Sequence, residues 1–183
     1  METIIPTNAA DAVIHTAAPV PALLAVALVL TAAVFTELKE NKIPNWLTFT
    51  GMAAGLAIGY LYGKPALWSS FAGLSIGFGF LFIFYVFGGV GGGDVKLMGA
   101  AGALMGSELI KPAVLYTALL GAFLALMLVI WRRDFWLRVG HSLRRLAFWS
   151  KPTDQPPAQS QPVTVPYGLA IAAGCLLALI VKG

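Results

Sequence analysis

Charge is what this sequence has least of. Only 11% of its 183 residues are Asp, Glu, Lys or Arg, against about 25% in soluble domains. Hydrophobic residues make up 58% and the mean hydropathy is +0.82. So few charges cannot cover a water-facing surface, which leaves an integral membrane protein of one domain. Cysteine occurs once, at Cys175, which excludes a disulfide or cysteine-rich zinc framework within one chain. Histidine occurs twice, at His15 and His141. Neither has carboxylates or cysteines at ligand spacing, so no metal site is expected. The net charge of +4 would suit nucleic acid in a soluble protein. In a membrane protein basic loops report orientation, and no nucleic-acid partner is expected. A signal peptide is not evident: Met1–Pro19 lacks a basic n-region, and Asp11 precedes the apolar run. Residues 1–19 are expected to remain as a short tail.

The gaps between charges set the spans. Ala12–Thr36 is uncharged, Ile43–Gly63 holds 21 uncharged residues, Pro65–Gly93 holds 29 and Pro112–Trp131 holds 20. Gln155–Val181 is uncharged too, and strongly apolar from Tyr167. About 20 apolar residues cross a bilayer. Five spans follow, near 20–37, 46–62, 67–87, 112–131 and 166–181. Val95–Gly106 is a sixth apolar segment, too short to cross alone if it starts in water. It makes a pass if the glycines before it lie inside the protein. The expected fold is an all-α membrane protein, a polytopic bundle of about six transmembrane helices over 20–183.

Basic residues test the count. With six passes one side carries Lys39, Lys42, Lys96, Arg132, Arg133, Arg138, Arg144, Arg145 and Lys151, and the other carries Lys64, Lys111 and Lys182. The positive-inside bias places the first set in the cytoplasm and both termini outside. Five passes would split the basic loops between the two faces. Gly51, Gly55 and Gly59, and then Gly73 and Gly77, recur at every fourth residue, a spacing that lets helices of one chain pack closely. Arg132–Trp149 sorts into an apolar and a basic face. An interfacial helix on anionic lipid and a plain basic loop both fit it. Residues 150–166 carry five prolines and read as a flexible linker.

One stretch stands apart. Five of the six residues from Gly88 to Gly93 are glycine, and Asp94 follows at the end of a long uncharged run. Asp94 can be a functional acid at membrane depth or the N-terminal cap of a surfacing helix. A cap needs the aspartate but not the glycines. Of the eight acidic residues, Glu2, Asp11 and Asp154 fall in tail or linker, Glu108 in an outer loop, and Asp134 among arginines. Glu37, Glu40 and Asp94 share the basic face, and Glu37 is nearest the first span. Two carboxylates brought together can share one proton, because ionising both is disfavoured. The ionised one can activate water and the protonated one can polarise a carbonyl or protonate a leaving amine. Asp134, His141 and Ser142 make no nucleophile constellation, and the glycines match no nucleotide fingerprint.

Gly91-Gly92-Gly93-Asp94 fits the GxGD motif of membrane aspartic proteases, and Gly88–Leu97 resembles the form found in type IV prepilin peptidases. Glu37–Asn45, ending Ile43-Pro44-Asn45, is similar to that family's first loop. Val165-Pro166-Tyr167-Gly168 is similar to the Pro-Tyr-Gly element that opens its last helix. The length resembles the small peptidases of tight-adherence pilus systems. Larger members carry a further cytoplasmic domain with paired Cys-x-x-Cys motifs and also methylate the new N-terminus. The resemblance implies an endopeptidase that removes prepilin leaders, typically after a glycine, at the cytoplasmic face of the bacterial inner membrane. It implies prepilin substrates, lipid surroundings and the pilus assembly machinery as a partner, with no metal and no organic cofactor. It assigns Asp94 and Glu37 as the catalytic pair, and Gly91, Gly92, Gly93, Pro44, Asn45, Pro166, Tyr167 and Gly168 as motif residues around substrate. One position departs: Glu37 stands where the family has aspartate. A pilin-binding scaffold without cleavage and an archaeal preflagellin peptidase are the alternatives. A small transporter has less behind it, with no inverted repeat evident.

Overall fold

The computed structural model describes residues 19–131 and 167–182. The tail 1–18, the basic segment and linker at 132–165, and Pro166 lie outside the described residues. Among those described, all regular elements are helical: α1 Val20–Glu40, α2 Asn45–Leu61, α3 Lys64–Val86, α4 Gly92–Trp131 and α5 Tyr167–Lys182. α1, α3 and α4 are long and apolar enough to cross a membrane, and α5 is a shorter apolar helix. Leu24, Leu28, Phe35, Trp68, Phe123 and Ile180 are among the large apolar side chains left exposed, the surface expected of a protein solvated by lipid.

Local chemistry sets the ends. Prolines sit at or beside the starts of α1, α2 and α3, where a missing N–H costs nothing. α1 stops at Asn41, which adopts the left-handed conformation with φ 52° and donates its N–H to the Glu37 carbonyl. α3 stops at Gly88 with φ 74°. There the Gly89 N–H reaches the Phe84 carbonyl at 2.9 Å and the Gly88 N–H reaches Tyr85 at 2.9 Å, a Schellman closure. The first part of the glycine-rich stretch is therefore a helix stop.

α4 is two arms. Gly106 interrupts it with φ 74° and ψ 175°. A Cβ added at Gly77 would lie 3.1 Å from the Met98 carbonyl carbon and 3.4 Å from Ile110 Cγ1. On a straight helix Met98 and Ile110 would be about 18 Å apart, so the arms fold back on each other at Gly106. The second arm starts at once, because the Ser69 hydroxyl accepts the Ser107 N–H at 3.1 Å. This corrects the expectation that Glu108 lies in an outer loop: Glu108 and Lys111 are helical, and Pro112 lies inside the helix. There the proline forfeits only the bond to the Glu108 carbonyl.

The first arm, which follows Gly92, is the centre of the bundle. Val95, Leu97, Met98, Ala101, Leu104 and Met105 are all buried, the pattern of a helix enclosed on every side. The glycine repeat is used within the chain: Gly51 and Gly55 of α2 pack on Ala100 and Ala103, and Gly73 of α3 packs on Gly102. Asp94, in the first turn of this central arm, is thereby placed at one end of the bundle. The end of α1 and the starts of α2 and α5 meet it there.

Candidate active site

Each acid is placed by a helix end. Glu37 occupies the last turn of α1 and is 5% exposed; Glu40, one turn on, is exposed. Asp94 lies in the first turn of α4 and is 7% exposed. Its Oδ2 accepts the Gly91 N–H at 3.2 Å, while the Asp94 N–H reaches back to the Gly91 carbonyl at 3.1 Å. The first bond is the N3 side-chain half of a capping box, which a glycine at the N-cap cannot complete, so Asp94 does help cap its helix. It does so buried, however, with its second oxygen uncommitted.

Glu37 is held from across the bundle. Its Oε1 accepts the Gly168 N–H of α5 at 3.2 Å. Carboxylates are favoured at helix N-termini, where N–H groups lack intrahelical partners. The two acids thus have matching environments. Each gives one oxygen to a glycine amide, and each keeps one, Glu37 Oε2 and Asp94 Oδ1, buried without a partner among the described residues. Glu37 lies within electrostatic reach of Asp94, and Asp94 within reach of the Tyr167 phenol. The ion pairs among the described residues are both made by Glu108, at the start of the second arm of α4. No group of three or more His, Cys, Asp or Glu that could hold a metal ion occurs among the described residues.

The other motif residues divide. Gly91 and Gly168 touch the acids directly. Gly93 packs on Ile43, and Gly92 faces the Tyr85 ring. Tyr167 lays its ring against Gly121, where a Cβ would collide with it. Pro44 precedes α2. Asn45 accepts the Lys96 ammonium at 2.9 Å, with Lys96 also 5.4 Å above the Phe49 ring; neither Asn45 nor Lys96 hydrogen-bonds to the carboxylates. Sequence reasoning overlooked Ile43. Its side chain is wedged between Gly93 at the start of α4 and Gly168 at the start of α5, joining the two helix ends that hold the acids. The one signal was its place beside Pro44-Asn45.

Each acid thus retains one buried carboxylate oxygen able to accept a hydrogen bond or a proton. Comparison with known proteins places the chain in a family. A protein of Aeromonas hydrophila described as a prepilin leader peptidase/N-methyltransferase is 32% identical over 111 residues, which cover 57% of this chain and 38% of that protein. The chain thus spans about two fifths of the length of the curated relative it matches. No solved structure gives a significant match. Residues 24–126, which run from α1 through the Asp94 arm into the second arm of α4, match the type IV leader peptidase family. The match covers more than half of the sequence and includes both acids, and the chain belongs to that family.

Proposed function

We propose that the chain is a membrane aspartic endopeptidase that removes leader peptides from prepilins. The observation that carries this is the pair itself. Two carboxylates 57 positions apart in sequence are buried together at one end of the bundle, each pinned by one amide and each with one oxygen free. In the reaction, the ionised member of the pair takes a proton from water, and the resulting hydroxide attacks the scissile carbonyl carbon. The protonated member stabilises the developing oxyanion. A proton then passes to the leaving amine as the peptide bond breaks. The family and the name of the A. hydrophila relative support leader peptides as the substrate class.

Six alternating passes suit the site. The fold-back at Gly106 supplies the extra reversal. The end of α1 and the starts of α2, α4 and α5 then share one face, which carries Lys39, Lys42 and Lys96. By the positive-inside bias that face is cytoplasmic and both termini are extracytoplasmic. A prepilin would approach laterally through lipid, its basic leader on the cytoplasmic side, and pass afterwards to the pilus assembly machinery. The first arm of α4 rises roughly 20 Å, less than a full bilayer, which suits an acid set slightly below the membrane face.

Co-expression with the cognate prepilin tests this reading. The wild type is expected to remove the leader, and Asp94→Asn and Glu37→Gln are expected to accumulate without removing it. Processing that survives Asp94→Asn would refute the pair. Wild-type protein that leaves the prepilin intact would refute the peptidase.

A further inference from the structure

Glu37 raises a question of reach. The related enzymes are expected to use aspartate here, and each added methylene extends a side chain by about 1.5 Å. In this chain the extra length has a destination. Glu37 Oε1 accepts the Gly168 N–H at 3.2 Å. A carboxylate drawn back by one methylene would leave that amide at roughly 4.5 Å, outside hydrogen-bond range. Gly168 also packs directly on the acid. A Cβ built on Gly168 would overlap Glu37 Oε2 and lie 3.2 Å from its carboxyl carbon, while meeting Ile43 Cδ1 at an ordinary 3.5 Å. The space lacking at Gly168 is thus the space occupied by the glutamate carboxylate. Glu37 is 5% exposed, so its carboxylate cannot swing out into solvent to make room.

We infer that Gly168 is a positioning residue. Its amide fixes the reach of Glu37, and the start of α5 is fitted to a glutamate at position 37 rather than to an aspartate. The inference rests on the peptidase reading for its consequence in catalysis, but the fit between Gly168 and Glu37 stands on geometry alone. It makes the glutamate a built part of the site. Shortening it unfastens the carboxylate from α5, and adding a methyl at position 168 pushes it off its place. The two changes remove the same contact and so offset one another in volume.

A double-mutant cycle on the full-length membrane protein tests this. Wild type, Gly168→Ala, Glu37→Asp and the double variant are compared in prepilin processing and in thermal unfolding in detergent. Gly174→Ala, alone and combined with Glu37→Asp, is the control. That glycine also lacks room for a Cβ, but against Thr117 rather than an acid. Gly168→Ala is expected to slow processing on the order of a hundredfold through displacement of the carboxylate by about 1 Å, and to lower the unfolding temperature. In the Glu37→Asp background the same substitution is expected to cost about a tenth as much or less, because the residues are in direct contact. Gly174→Ala is expected to cost the same in both backgrounds. Equal penalties for Gly168→Ala in both backgrounds would overturn the inference, as would a double variant that fails to accumulate where Glu37→Asp alone does. Should the wild type process no prepilin, the peptidase reading fails, and the unfolding cycle still decides whether Gly168 and Glu37 are fitted to each other.

Discussion

The crossing of α3 with the first arm of α4 gives the sharpest stability prediction. A Cβ at Gly102 would collide with the Gly73 carbonyl oxygen, lie 2.6 Å from the Gly73 carbonyl carbon and 3.1 Å from the Leu74 nitrogen. Every one of these atoms is backbone, so no side chain can rotate away. Restoring an ordinary separation of about 3.5 Å drives the two helices apart by roughly 1 Å. Gly102→Ala gains about 1 kcal/mol in helix propensity, but overpacking of a well-fitted contact costs about 1–3 kcal/mol and sometimes more. Contacts with the flanking small residues are lost as well. The net is a destabilisation of about 1–2 kcal/mol, read as a fall of roughly 2–8 °C in the unfolding temperature in detergent. Asp94 lies two turns away on the same arm, so the shift also reaches the acid, and processing is expected to fall by up to about a hundredfold. Gly79→Ala is the comparison, since a Cβ at Gly79 meets nothing within 4 Å and only the propensity gain remains. Gly102→Ala protein that unfolds no earlier than wild type would refute the reasoning.

Three smaller perturbations follow from single contacts. Ser69→Ala leaves the Ser107 N–H without its acceptor and is expected to cost about 1 kcal/mol, measured by thermal unfolding. Lys96→Met removes the bond to Asn45 and the contact with the Phe49 ring. Because neither touches the acids, processing is expected to change by less than about tenfold, with a stability loss of about 0.5–1 kcal/mol. Glu108→Gln removes the ion pairs with Lys111 and Lys182; the three side chains are about half exposed and screened by solvent, so the midpoint of chemical unfolding is expected to stay where it is in the wild type.

The sequence revealed the helices well, because a bilayer leaves little else for an uncharged run of twenty residues to become. Their ends were harder to read. Asn41 stops α1 and Gly88 stops α3 through left-handed backbone conformations, and glycines are too common in this chain for one to stand out. The stretch 95–106 could be seen as apolar, but its length allowed either a partial or a full pass. What decides its role is the reversal at Gly106, secured by a serine 38 positions earlier in the chain. No local pattern announces such a contact. The outer loop expected around Glu108 failed for the same reason. The gap between charges put the start of this span at 112, whereas the Ser69 hydroxyl lets the helix begin at Ser107.

The candidate acids could be picked out in the sequence, but not what holds them. Glu37 and Asp94 could be paired from charge bias because carboxylates are scarce in this chain. Their partners are backbone amides, and a backbone donor leaves no mark on residue identity except where a side chain would obstruct it. At Gly168 it does: a Cβ there would overlap Glu37 Oε2. The choice of amide over cation also bears on chemistry. A lysine or arginine beside an acid favours its ionised form strongly, which would oppose the sharing of a proton between two carboxylates. An amide at a helix start binds one oxygen, offsets part of the cost of burying it, and leaves the second oxygen able to take or give a proton. Two helix starts supply such amides here, one from α4 to Asp94 and one from α5 to Glu37. The scarcity of charge in the sequence and the two amide-held carboxylates in the structure belong together. The bundle positions its two acids with backbone, and brings no fixed positive charge among the described residues into contact with them.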